Sequence, residues 1–117
     1  MSELDRALAS IRGHQGVEHV LVLGRDGLLI QHSGDGELDA ETVSAMVPGI
    51  ASAAGGLGSA AGLGDTSTVV MRLGGGVAVV DVLSPELLLA VLLRDGVAFG
   101  GLLRDLARDR DRLASLV

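Results

Sequence analysis

The residues best suited to chemistry form no set. His14, His19 and His32 do not repeat at i, i+4 on one helix, and no cysteine supplements them as metal ligands. They read as one loop residue and two strand surface residues. Serine, threonine and aspartate are plentiful, but neither a nucleophile elbow nor a Ser-His-Asp order is legible. All nine basic residues are arginine, which removes Schiff-base, P-loop and kinase-type lysine chemistry. Gly56-Leu57-Gly58-Ser59-Ala60-Ala61 fits G-x-G-x-x-A, with Asp81 downstream where a ribose contact would fall. That fingerprint needs a strand before it and a helix opening after it, whereas here a helix capped at Asp39 precedes it and a strand follows. A helix-packing or loop role is expected for it. The sequence thus offers no catalytic residue, cofactor site or metal site, and the chain reads as not an enzyme.

The arginines of the C-terminal segment invite a different question. Arg104, Arg108 and Arg112 form one helical row and Asp105 and Asp109 the next, which reads as a solvated face with weak ion pairs. Arg110 instead falls on the apolar stripe, seven residues after Leu103 and three before Leu113. It must reach water along its aliphatic stem or meet a carboxylate. An arginine finger would need reach into another protein's site, and a helical arginine beside a sheet is poorly placed for that.

Composition narrows the partners. The net charge is -6 and Phe99 is the sole aromatic residue, so phosphate backbones and stacked bases are disfavoured. Nucleic acid is not expected. With 117 residues and no cysteine the chain reads as one domain spanning 1-117, built without disulfides around Leu, Val, Ile and Ala. The N-terminal Met1-Ser2-Glu3-Leu4-Asp5-Arg6 lacks the order of a signal peptide, which makes the cytoplasm the expected location.

The elements that must position these residues follow from capping and periodicity. Ser2, with Asp5 at N3, caps a helix carrying Leu4, Ala7, Leu8 and Ile11 on one stripe, ending at Gly13. Val17 to Leu23 and Leu28 to His32 are strands flanking Arg25-Asp26-Gly27, a hairpin signal, and Ser33-Gly34-Asp35-Gly36 reads as a loop. Asp39 caps a second helix, with Leu38 and Val43 placed as a staple; Pro48 is expected to kink it. Ser67 to Leu73, Val77 to Leu83 and Leu87 to Leu93 form a meander, the last strand apolar on both faces. A final helix opens near Gly100-Gly101, with Leu102, Leu103, Leu106, Leu113 and Val117 on one side. The order α-β-β-α-β-β-β-α implies an α+β fold with an antiparallel sheet.

In the order and spacing of these elements the chain resembles the roadblock / dynein-light-chain family. The resemblance is carried by the short capped first helix, Gly16-Val17 leading into Val20-Leu21-Val22, Arg25-Asp26-Gly27 with Leu28-Leu29-Ile30, and Leu38-Asp39-Ala40-Glu41 opening an uncharged helix. It implies a five-stranded antiparallel sheet with the second helix on one face and the terminal helices on the other. It also implies a homodimer with sheets joined edge to edge and second helices side by side. The family is similar to regulators and scaffolds, including gliding-motility proteins that act on a small Ras-like GTPase. The very glycine-rich second helix departs from that pattern.

The second helix is the most informative segment, because from Thr42 to Gly64 no residue is charged. Ala45, Gly49 and Ala53 repeat every four residues, as do Ala51, Gly55 and Ser59, so another backbone could approach closely. A fully buried helix in a monomer is one alternative. A membrane span is another, weakened by the Gly, Ser and Ala content and by Pro48. The expected dimer interface comprises Ala45, Ala51, Ala53, Gly55, Ser59, Val69 and Met71, and the expected partner contacts are Glu41, Ser44 and Met46. The expected function is a dimeric regulator or scaffold for a small Ras-like GTPase, stimulating hydrolysis by ordering that enzyme's own residues. A structural adaptor for a peptide or another roadblock protein is the second reading, and a nucleotide-binding protein the third.

Overall fold

The computed structural model describes residues 2–117. In chain order it comprises α1 (Glu3–Arg12), β1 (Val17–Gly24), β2 (Leu29–Gly34), α2 (Ala40–Ala61), β3 (Thr68–Leu73), β4 (Gly76–Ser84), β5 (Leu87–Arg94) and α3 (Gly100–Ser115). Local chemistry accounts for the helix starts. Ser2 Oγ accepts from the Asp5 amide at 3.0 Å while Asp5 accepts from the Ser2 amide at 3.2 Å, a reciprocal box that satisfies two otherwise orphaned donors. At α2, Asp39 accepts from the Thr42 amide at 3.2 Å and from its hydroxyl at 2.6 Å. The helix then continues through Pro48 to a left-handed cap at Gly62, so the proline does not end it.

The five strands are ordered β2-β1-β5-β4-β3 and every pairing is antiparallel. The central position of β5 explains its unbroken apolar run: Leu88, Leu89, Ala90 and Val91 alternate between two covered faces and are all buried. Under α1 and α3 lie Val20, Val22, Val79, Leu89 and Val91, packed against Leu8 of α1 and Leu102 and Leu106 of α3. Under α2 lie Leu21, Leu23, Val80, Leu88 and Ala90, with Val47 and Ala51 from the helix. The second helix and the terminal helices thus occupy opposite faces. Trimming a side chain such as Leu89, which has no exposed surface, to alanine would cost about 2–5 kcal/mol.

Most strand ends fall within one residue of the sequence pattern, with larger departures at β2 and α3. Leu28 lies in the turn, and β2 extends through Ser33 and Gly34, which the pattern of turn formers marks as loop. Between β1 and β2, Val22 pairs with Gln31 and Leu23 with Leu29, leaving Ile30 as a bulge. Val117 lies beyond the end of α3 and is exposed, not on its buried side.

Candidate interaction surface

The hairpin turn and α2 are fastened together. Gly27 has φ +88° and its backbone rests on the helix: a Cβ there would lie 3.3 Å from the Cα of Ala45. Ser44 Oγ donates to the Gly27 carbonyl at 2.8 Å. Ser44 is therefore fully buried, not a partner contact, because its hydroxyl is consumed within the chain. Of the other expected contacts, Glu41 is exposed one turn before Ala45, and Met46 is 67% exposed.

Only Ser44, Val47 and Ala51 of α2 are buried. The reading as a fully buried helix is thus overturned; one stripe meets the sheet, flanked by the half-buried Val43 and Ile50, and the opposite side is open. The two rows of small residues separate accordingly. Ala45, Gly49 and Ala53 all face outward, and the row continues to Leu57, which is 68% exposed. In the other row Ala51 has no exposed surface and packs on the sheet, so it is corrected from an interface residue to a core residue. Gly55 is half-buried and faces its own chain, where a Cβ would lie 3.5 Å from Thr66 Oγ1. Ser59 is exposed. By length and composition α2 is long and apolar enough to cross a membrane. Its buried stripe instead lies against the sheet.

The glycines of the outward side are not required by packing within the chain. An added Cβ at Gly49 or Gly56 would meet nothing within 4 Å. Beside the helix, β3 forms one edge of the sheet, and its register with β4 runs unbroken from Thr68 to Leu73. Val69 and Met71 are half-buried on the α2 side, and Leu73 is 60% exposed. The opposite edge, β2, carries the bulge. Leu57, Leu73, Leu28 and Leu63 are exposed apolar residues that sequence reasoning did not single out. For Leu57 the signal was present, four residues beyond Ala53 in the same uncharged row.

The remaining candidates resolve into structural roles. Gly56 to Ala61 lies inside α2 with no strand before it, so the dinucleotide pattern has no structural context. Asp81 is wholly buried and held by Arg110, whose Nε and Nη2 donate to its two oxygens at 3.0 and 2.9 Å. Thr68 Oγ1 donates to Asp81 at 2.6 Å and accepts from Arg110 at 3.2 Å. These bonds to Asp81 raise the Arg110 guanidinium further above its ordinary value, against the opposing effect of burial. Arg110 has thus found its carboxylate within the chain. His14 lies 3.1 Å from Asp105, and Asp105 also pairs with Arg108. His19 is 7% exposed, correcting its reading as a surface residue, and the His32 ring stands against it. Among the described residues no three His, Asp or Glu side chains are grouped as a metal-ligand set.

No curated protein matches the chain in sequence. Among solved structures it is similar to a Roadblock/LC7 domain from Streptomyces avermitilis, 22% identical with a TM-score of 0.85 over 97% of each chain. It is also similar to the gliding protein MglB of Thermus thermophilus, 19% identical with a TM-score of 0.85 over 97% of this chain and 87% of that one. Myxococcus xanthus MglB is 15% identical with a TM-score of 0.86, over 98% and 94%. These likenesses concern the fold. The Roadblock/LC7 domain model matches residues 3–93, the greater part of the sequence, and the chain belongs to the Roadblock/LC7 family.

Proposed function

We propose that the chain acts as one roadblock-type domain over 1-117, a non-enzymatic homodimeric regulator or scaffold in the cytoplasm that binds a small Ras-like GTPase. One observation carries the self-association: the outward row Ala45, Gly49, Ala53 and Leu57 is exposed, and Gly49 has no neighbour that requires its smallness. A glycine inside an exposed helix costs about 0.5–1 kcal/mol relative to alanine. Close approach of a second helix gives that cost a purpose. β3 is an edge strand, with Val69 and Met71 on the α2 side of the sheet. Pairing it with its own copy would cover an edge that lacks a bulge or proline and carries only Arg72 as a charge. Burial of apolar area at about 25 cal/mol per Å² drives such an association. Ala45, Ala53, Ser59, Val69 and Met71 are the proposed dimer contacts, with Gly55 at their margin.

The GTPase partner rests on the resemblance to the gliding-motility branch, and the fold likeness to MglB proteins supports that branch. Glu41 and Met46, on the turns of α2 next to the fastened hairpin, are the proposed partner contacts. Arg110 is not a group donated to the GTPase, since it is committed to Asp81. Stimulation would come from ordering the GTPase's own residues. Turnover of purified candidate GTPases with and without the chain tests the proposal. Binding with faster turnover marks a regulator, and binding with unchanged turnover a scaffold. Absence of binding to any of them would favour the adaptor reading.

A further inference from the structure

His19 and His32 are diagonal neighbours on the α2 side of the sheet, since His19 pairs with Gly34 and Leu21 with His32. His19 Nδ1 and His32 Nε2 are 3.0 Å apart, and the ring centroids are separated by 5.2 Å. The two nitrogens therefore lie close to the line between the rings and point at each other. That is hydrogen-bond geometry, one ring donating and the other accepting; it is not the arrangement of two rings aimed at a shared ion. Gly34 makes it possible: a Cβ at that position would fall on His19 Nδ1.

We infer that His19, His32 and Gly34 form a proton-released clasp that holds the end of edge strand β2 and the start of the loop feeding α2. Neutral, the pair ties β2 to β1. Doubly protonated, it would set two cations face to face at hydrogen-bonding distance. Arg12 of α1 adds a third cation, and its own partner Asp35, at 2.8 Å, is 94% exposed and screened. Glu18 of β1 is exposed, β5 presents Leu92, and α2 carries no ionisable group beyond Glu41. Burial, His19 and Arg12 together hold the His32 imidazolium below its ordinary range. The folded clasp therefore binds fewer protons than the open one, and its hold is full above the usual histidine value and declines as pH falls below about 6.5. The consequence for function rests on the proposed use of α2 for partner binding; the clasp itself does not.

The test is amide exchange of the whole chain from pH 7.5 to 5.0 without any partner, corrected for intrinsic rates. In the wild type, protection across Gln31 to Gly34 should be lost as the pH falls from 7.5 to 5.0. His32→Gln and, independently, His19→Gln leave a single titratable ring, whose imidazolium can still donate to the glutamine oxygen, and should show no such fall. Gly34→Ala should lose that protection even at pH 7.5. Unchanged protection in the wild type at pH 5.0, or the same fall in both glutamine variants, would overturn the inference. Because no partner is present, a failed GTPase assay leaves this result standing.

Discussion

Arg110 of α3 and Asp81 of β4 form a two-pronged ion pair, the carboxylate with no exposed surface and the arginine side chain 25% exposed. The pair ties the C-terminal helix to the sheet, and through Thr68 it reaches the first residue of the edge strand β3. Removing one partner leaves the other charge without compensation. Asp81→Ala should therefore lower unfolding free energy by about 3 kcal/mol in urea denaturation. The double replacement Asp81→Leu with Arg110→Met should recover most of that loss. Equal destabilisation by the single and double replacements would mean that packing, not charge, dominates the site.

A second expectation concerns the junction of hairpin and helix. Ser44→Ala should cost about 1–2 kcal/mol by removing the bond to the Gly27 carbonyl. Gly27→Ala should cost a comparable amount, because φ +88° disfavours a Cβ and Ala45 stands in its way. Thermal unfolding of each variant measures this. If the two are additive, the junction is held by independent contacts.

The Asp39 cap predicts a pH dependence. Hydrogen bonds from the Thr42 hydroxyl and amide hold its carboxyl below the ordinary range, so the cap stabilises the fold above that range and is lost as pH falls through it. The midpoint difference between wild type and Asp39→Ala should be largest near neutrality and shrink towards pH 3. A difference independent of pH would assign the effect to helix propensity alone.

Much of this architecture was legible locally. Ser2 with Asp5, Asp26-Gly27 and Asp39 each act within a few residues, so their elements follow from the chain order. Contacts across the sheet carry no such signature. Arg110 and Asp81 are 29 residues apart, and the apolar stripe could show only that Arg110 needed a partner. Ser44 and Ala51 sit among small residues on all sides of α2, where no periodic contrast of polar and apolar residues marks the buried stripe. His19 reads as a strand surface residue because the ring that stands against it, His32, is brought beside it only by the pairing of β1 with β2. The bulge at Ile30 changed the register of β2, which periodicity could not anticipate.

Gly49 acts oppositely on self-association and on the stability of the single chain. In an Ala53→Glu background, Gly49→Ala should raise unfolding free energy by about 0.5–1 kcal/mol, since its Cβ meets nothing in the chain. In the otherwise native chain the same change should weaken self-association on dilution. Stabilisation without any effect on association would remove the helix row from the interface.

The central claim is the dimer, and its most direct measurement is light scattering at micromolar concentration for the wild type and for Ala53→Glu, whose side chain points outward from α2. The wild type should run at twice the 11.8 kDa chain mass and Ala53→Glu at the mass of a single chain with its fold intact by circular dichroism. A monomeric wild type would contradict the account, as would a variant that remains dimeric.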